Sequence, residues 1–145
     1  MVEIGFNTPD HLIRFGPTIY VYVGFDPKYN QINPSIPDLP TINNKALIDT
    51  GASGSCIDST VAITLKLPII NEQSMAGAHR AGKVSVHLVQ IYIPALVFTL
   101  YETFFGVYPI VGGQPHQALL GCDFLQYMTM DDKGNTDSVI LSWNS

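Results

Sequence analysis

The sequence predicts an all-β protein. Ten prolines and twelve glycines divide the 145 residues into short segments. These segments are rich in β-branched and aromatic residues, which are typical of strands. Residues 18–25 show the pattern most clearly, because their apolar members alternate and would share one face of a strand. The members of that face are Ile19, Val21, Val23 and Phe25.

The length of the chain favours one domain, residues 1–145, because most domains have roughly 100 to 150 residues. Charged residues form only 13% of the chain. This composition argues against disorder and favours a protomer that hides part of its surface in an oligomer. The formal net charge is −5, and no basic run is present. Nucleic acid is therefore not expected as a partner.

No segment suits a membrane span. The longest apolar stretch, residues 89–101, contains polar interruptions and a proline, and it falls short of the about 20 residues that a spanning helix needs. The first residues lack the features of a signal peptide. Cys56 and Cys122 are too few for a disulfide scaffold, and we expect both to be buried as small apolar residues. These observations predict a cytoplasmic protein without a membrane partner, either whole or part of a longer precursor.

The remaining elements follow from turn residues and apolar spacing. Four prolines make residues 26–40 a surface loop. Residues 45–48 form a strand that runs into a turn at residues 49–54, and residues 59–67 form a short helix capped by Ser59. Residues 69–94 form a hairpin around a polar tip. The later predicted elements are strands at residues 95–100 and 104–111, a helical turn at 123–128, a turn at 131–135 and a strand at 138–143.

A carboxylate follows directly after a predicted buried strand in Ala46-Leu47-Ile48-Asp49-Thr50-Gly51-Ala52. Burying Asp49 there costs free energy unless hydrogen-bond donors or chemistry compensate. On this segment alone, an Asx-type turn that caps backbone N–H groups is as good an explanation as catalysis. A second segment about seventy residues downstream, Ala118-Leu119-Leu120-Gly121-Cys122-Asp123-Phe124-Leu125, favours catalysis.

Together the two segments resemble the signature of the retropepsin-like aspartic proteases, which are single-lobe, homodimeric relatives of pepsin. The order of strand, Asp-Thr-Gly-Ala, hairpin, Leu-Leu-Gly and final strand also matches. The resemblance covers roughly residues 18–143 and implies a closed β-barrel with a flap hairpin and one or two short helices. Ser53 and Cys122 replace the Asp and Arg that pair in viral members, so the chain is more similar to cellular or bacterial members.

The resemblance implies roles for the active-site loop. Asp49 corresponds to the catalytic aspartate, of which each chain of a homodimer supplies one. Thr50 corresponds to the residue whose hydroxyl reaches the backbone of the partner chain. Gly51 corresponds to the glycine that lets the substrate backbone approach, and Ala52 completes the loop.

The resemblance also implies residues that bind substrate or support the site. Leu119 would line a substrate pocket beside Ala52. The flap that covers a bound substrate would contain Gly77, Ala78, His79 and Gly82. The second segment would contribute three structural residues, namely Leu120, Gly121 and Asp123.

The implied function is an aspartic endopeptidase that hydrolyses an extended peptide or protein substrate with a water held between two Asp49 carboxylates. This chemistry needs no metal and no cofactor. The alternative is a catalytically silent dimeric module of the same fold that binds a peptide or protein. Weaker alternatives are a serine hydrolase at residues 51–55, where Ser55 replaces the last glycine of the elbow motif, and a Cys nucleophile with His116 as base. The four histidines lack metal spacing, and we expect them at the surface or in loops.

Overall fold

Most of the secondary structure in the described residues consists of strands. The computed structural model describes residues 2–4, 16–30, 36–74, 83–108, 116–133 and 138–143. The strands are β1 (Val2–Ile4), β2 (Thr18–Gly24), β3 (Asn44–Ile48), β4 (Cys56–Asp58), β5 (Ile69–Ser74), β6 (Lys83–Ile93), β7 (Phe98–Val107), β8 (Ala118–Leu120), β9 (Thr129–Lys133) and β10 (Ser138–Ser142). Among the residues that the structure describes there are two short helices, α1 (Ser59–Thr64) and α2 (Cys122–Leu125).

Six strands close into a barrel. Their order is β2, β3, β8, β4, β7 and β6, and a further pairing between β2 and β6 closes the ring. The pairs β3–β8 and β4–β7 are parallel, and the other neighbours are antiparallel. β5 extends the sheet from β6 and forms the hairpin that precedes β7. The prediction of an all-β closed barrel with a hairpin and two short helices is confirmed.

A second, three-stranded sheet has the order β1, β10, β9. Val139 and Leu141 of β10 are buried in the common core. The Trp143 side chain donates a 2.7 Å hydrogen bond to the carbonyl of Leu96 in the turn between β6 and β7. Its ring also lies edge-on against Phe98, with 5.0 Å between ring centroids. These contacts join the second sheet to the barrel.

The core follows from the alternation of side chains along the strands. Ile19, Val21 and Val23 of β2 are buried as expected, whereas Tyr20 between them is 49% exposed. The same alternation in β3 buries Ala46 and Ile48. Phe25, the last member of the predicted β2 face, lies beyond the end of the strand and packs against the core only in part.

The first helix is shorter than the sequence pattern predicts. It ends at Thr64, and the chain then turns through Lys66, whose φ is +52°. Its cap is also different, because the side chain of Asp58 accepts a hydrogen bond from the Thr60 N–H at 2.8 Å and Ser59 is the first helical residue. A carboxylate one residue earlier takes the role that we assigned to the serine.

Two predicted strands are a single strand in the structure. Residues 94–97 form the turn that connects β6 to β7, and β7 then runs without a break from Phe98 to Val107. The apolar pattern does not reveal this turn because Ala95, Leu96 and Val97 are themselves apolar. In the predicted turn at residues 131–135, residues 131–133 belong to β9 because they pair with β10. Residues 134 and 135 lie outside the described part.

The long loop after β2 is fixed to the barrel by a buried amide. Gln90 of β6 is fully buried, and its side chain accepts a 2.7 Å hydrogen bond from the Asp26 N–H and donates one of 3.0 Å to the Asp26 carbonyl. The Asp26 carboxylate in turn accepts backbone N–H bonds from Asp38 and Lys28, which lower its pKa. The pairing of β2 with β6 is thus continued by a side chain where β2 ends.

Replacing Gln90 with leucine should lower the free energy of unfolding by about 1 to 3 kcal/mol, because the partly buried N–H and carbonyl of Asp26 lose their side-chain partner. Urea denaturation measures the change. The control is Thr103→Val at an exposed position of β7, which should stay within about 0.5 kcal/mol of the wild type. Equal stability of the Gln90→Leu variant and the wild type would show that the amide does not hold the loop.

Candidate active site

Asp49 lies where β3 leaves the barrel. Its N–H donates a 2.9 Å hydrogen bond to the carbonyl of Leu120, which continues the parallel pairing of β3 with β8 by one residue. The side chain is half-buried, and its Oδ1 accepts the N–H of Gly51 at 2.8 Å. The Asx-type turn is therefore present. Oδ2 accepts no hydrogen bond from the residues that the structure describes, so one oxygen of the carboxylate is left for other partners.

The residues after Asp49 form a tight loop against the start of α2. Thr50 and Gly51 are exposed and Ala52 is half-buried. The Ala52 carbonyl accepts the Cys122 N–H at 2.8 Å, and the Thr50 carbonyl accepts the Cys122 thiol at 3.7 Å. The structure thus brings the predicted active-site loop and the predicted structural motif into direct contact.

Gly121 occupies a place that only glycine fits. A Cβ at this position would lie 2.6 Å from the Ala52 carbonyl oxygen and 2.7 Å from the Gly54 carbonyl oxygen. Both distances are shorter than real Cβ contacts, and backbone atoms on both sides leave little room to adjust. The glycine of the Leu-Leu-Gly segment therefore permits the close approach of the two loops.

Ser55 and Asp123 form a polar link between the same two loops. Ser55 is fully buried, and its hydroxyl donates to Asp123 Oδ1 at 2.6 Å. Asp123 Oδ2 accepts the Ser55 N–H at 3.1 Å. The Ser55 hydroxyl oxygen also accepts the Gly121 N–H at 3.1 Å. The sequence did not predict this structural role of Ser55, because a lone serine after a turn has no signal that separates it from a surface serine.

The remaining predicted site residues are Leu119, Leu120 and the flap candidates. Leu119 is half-buried and pairs with Leu47 on one side and Cys56 on the other, whereas Leu120 points into the barrel core. The flap candidates Gly77, Ala78, His79 and Gly82 lie outside the described residues. The two strands that lead to them, β5 and β6, are paired as far as Ser74 and Lys83.

The two cysteines differ from the prediction. Cys122 is exposed and Cys56 is half-buried, so the expectation that both are buried is wrong. Cys122 is the first residue of α2. Its side chain faces solvent and the loop of residues 49–54, which we call the Asp49 loop. Burial raises the pKa of the Cys56 thiol, and the negative charges of Asp123 and Asp49 raise it further. Cys56 therefore stays a neutral thiol beside the site.

One histidine also departs from the prediction. His87 of β6 is buried, and its Nδ1 lies 3.4 Å from the carbonyl of Leu67. His116 is half-buried, and its Nε2 lies 2.7 Å from the Thr18 hydroxyl. Among the described residues, no three His, Cys, Asp or Glu side chains come together as metal ligands would. The described helices are all too short to cross a bilayer.

A pulse of iodoacetamide should label the thiols in a fixed order, with Cys122 before Cys56. Exposure favours the first thiol, and partial burial together with a raised pKa slows the second. Peptide mass mapping at pH 7 and at pH 9 measures the two rates, and a urea-unfolded sample serves as the control in which the rates become similar. Equal rates in the folded protein would contradict the described surroundings of Cys56.

Comparison with known proteins agrees with the fold. The family model described as "gag-polyprotein putative aspartyl protease" matches residues 41–127. A retropepsin-like aspartic protease from Rickettsia conorii is 19% identical with a TM-score of 0.58, covering 97% of this chain and 88% of that one. The retroviral protease-like domain of Ddi1 from Leishmania major is 15% identical with a TM-score of 0.52, covering 88% of this chain and 89% of that one. A search of curated proteins finds no match.

At these identities the two solved structures establish a shared fold and no more. The family match is broader evidence, because it spans the Asp49 loop, both helices and every strand of the barrel except β2. It covers more than half of the chain. The protein is therefore a member of the gag-polyprotein aspartyl protease family, with the retropepsin-like fold.

Proposed function

We propose that the protein is an aspartic endopeptidase whose catalytic residue is Asp49. The observation that carries this proposal is the placement of the Asp49 carboxylate at a strand end, on a loop held by backbone bonds to Leu120 and Cys122. A carboxylate used only for capping does not need so firmly held a loop. A catalytic carboxylate does, because small errors in position cost large factors in rate.

The active species in this proposal is a homodimer. The chain contains one Asp-Thr-Gly segment, so it supplies one of the two carboxylates that this chemistry uses. Thr50 and Gly51 are exposed in the single chain, as residues at a contact between two copies would be before assembly. Pairing two such loops brings two Asp49 side chains together.

The mechanism follows from the repulsion between the two charges. Two carboxylates at hydrogen-bond distance share one proton, as is known for aspartic proteases as a class. The ionised carboxylate takes a proton from a water held between them, and the oxygen of that water attacks the scissile carbonyl carbon. The protonated carboxyl group donates a hydrogen bond to the carbonyl oxygen as negative charge develops there. Transfer of a proton to the amine then releases the two peptide products.

The substrate in this proposal is an extended peptide or protein segment. Such a segment fits a site between a loop floor and a hairpin, because main-chain hydrogen bonds give affinity and side-chain pockets give specificity. The β5–β6 hairpin would provide the cover. Ala52 and Leu119, both half-buried, would offer apolar surface beside the scissile bond.

One observation favours the alternative of a silent binding module. The Asx-type turn gives Asp49 Oδ1 a backbone donor, so the aspartate has a structural role even without catalysis. Such a module would bind an extended peptide, or a peptide with a hydroxyl group in place of the scissile carbonyl, without cleaving it. Cleavage of a peptide library by the purified protein separates the two functions.

Asp49→Asn should abolish peptide hydrolysis while the protein stays folded, because the amide keeps the shape but cannot act as a base. The expected loss in kcat/KM is at least about 10²- to 10⁴-fold. The measurement is the cleavage rate of a fluorogenic peptide, with circular dichroism as the check on folding. Asp132→Asn, which removes an exposed carboxylate of β9, is the matched control. Full turnover in the Asp49→Asn variant would exclude this residue as the catalytic base.

Dilution should lower the specific activity, because the dimer dissociates below its Kd. Thr50→Ala should shift the midpoint of that loss to higher protein concentration. If the Thr50 hydroxyl bonds the partner backbone, its removal costs about 1 to 3 kcal/mol, or roughly 5- to 150-fold in Kd. Analytical ultracentrifugation measures the Kd directly, with Thr103→Ala on the exposed side of β7 as the control. A monomer with full activity would refute the dimer.

A further inference from the structure

Neither the turn at residues 49–54 nor the apolar core explains why the polar residue Ser55 is buried. It is fully buried although it is polar, and its carbonyl accepts the Phe105 N–H of β7 at 3.1 Å. The hydroxyl has two partners, since it donates to Asp123 and accepts from the Gly121 N–H. Loss of this hydroxyl would leave the buried Gly121 N–H without this acceptor and would remove one hydrogen-bond donor from the Asp123 carboxylate.

Asp123 is the centre of the same arrangement. Its carboxylate accepts the Ser55 hydroxyl, the Ser55 N–H and, at 2.9 Å, the N–H of Phe124 in the first turn of α2. Hydrogen bonds to a carboxylate are stronger than those between neutral groups. One charged group therefore joins the end of the Asp49 loop to the start of α2.

Three consecutive residues hold the Asp49 loop from one side. Gly121 bonds the Ser55 hydroxyl, Cys122 bonds the Ala52 carbonyl, and Asp123 bonds Ser55 at two atoms. At its other end, the loop is held by the bond from Asp49 to Leu120. The backbone of the loop that carries the Asp49 carboxylate is thus held at both ends.

We propose that Ser55 and Asp123 are positioning residues that fix the Asp49 loop in the geometry needed for hydrolysis. This inference rests on the proposed endopeptidase function. Neither residue touches the reacting atoms. They act through the backbone of residues 49–54, whose closure against Gly121 leaves no room for a Cβ at that glycine.

The effect should appear in kcat rather than in KM. Substrate binding uses the hairpin and the pockets, whereas the relative position of two Asp49 carboxylates matters most in the transition state. A displacement of about 1 Å can cost about 100-fold in rate. In a homodimer both loops change together.

The first test measures kcat and KM for Ser55→Ala and Asp123→Asn. We expect kcat to fall about 10- to 100-fold with KM within about twofold of the wild type. The controls remove matched groups in the second sheet, namely Ser142→Ala in β10 and Asp132→Asn in β9, and should keep the wild-type kcat. If Ser55→Ala does not fold, Asp123→Asn decides alone, since it keeps the shape of the side chain. An unchanged kcat in the folded variants would overturn the inference.

The second test is amide hydrogen exchange by NMR, which does not depend on activity. In Ser55→Ala and in Asp123→Asn, the amides of Asp49 and Cys122 should exchange about tenfold faster relative to amides of the β6–β7 ladder, because the Asp49 N–H and the Ala52 carbonyl that accepts the Cys122 N–H both lie on the loosened loop. Uniform acceleration would indicate a role in global stability alone and would overturn the inference. If the wild-type protein cleaves no peptide but the two amides still exchange selectively faster, the endopeptidase proposal fails and the loop-fixing role stands.

Discussion

The candidate site depends on the parallel pairing of two short strands that are about seventy residues apart in the chain. β3 and β8 pair over three residues, and the bond from the Asp49 N–H to the Leu120 carbonyl extends that pairing beyond the barrel. Both strands therefore end at the same edge of the sheet. The acidic loop after one strand and the glycine after the other meet there as a direct consequence.

The residues around this edge determine how closely the two loops pack. Gly121 allows contact with two carbonyl oxygens that any side chain would prevent. The bonds among Ser55, Asp123 and Gly121 then satisfy the polar groups that the contact buries. Ser53 and Cys122 stand where the resemblance to viral members implies a paired Asp and Arg, and the Asp123 carboxylate close by accepts three hydrogen bonds. Hydrogen bonds to one carboxylate hold the two loops together without an ion pair among these residues.

Much of this arrangement could be predicted from the residues, and the failures have physical causes. Period-two alternation identified β2, the apolar run before the turn at residues 49–54 identified β3, and the two motifs identified the family because they combine residue type with order. The break at residues 94–97 was missed because an apolar turn looks like a strand. The first helix is capped by Asp58 and not by Ser59, because any side-chain acceptor just before the first turn can accept one of its free N–H groups. Ser55 was missed because its importance comes from a long-range partner, Asp123, that local sequence does not reveal.

The central claim is that two copies of the chain join their Asp49 loops to build one catalytic pair. A crystal structure of the protein with a hydroxyl-bearing peptide mimic tests this claim most directly. We predict a two-fold dimer in which the two Asp49 carboxylates lie within hydrogen-bond distance, about 2.5 to 3 Å, of each other or of the hydroxyl oxygen of the mimic. A structure in which the mimic binds a single chain, with the two Asp49 side chains far apart, would contradict it.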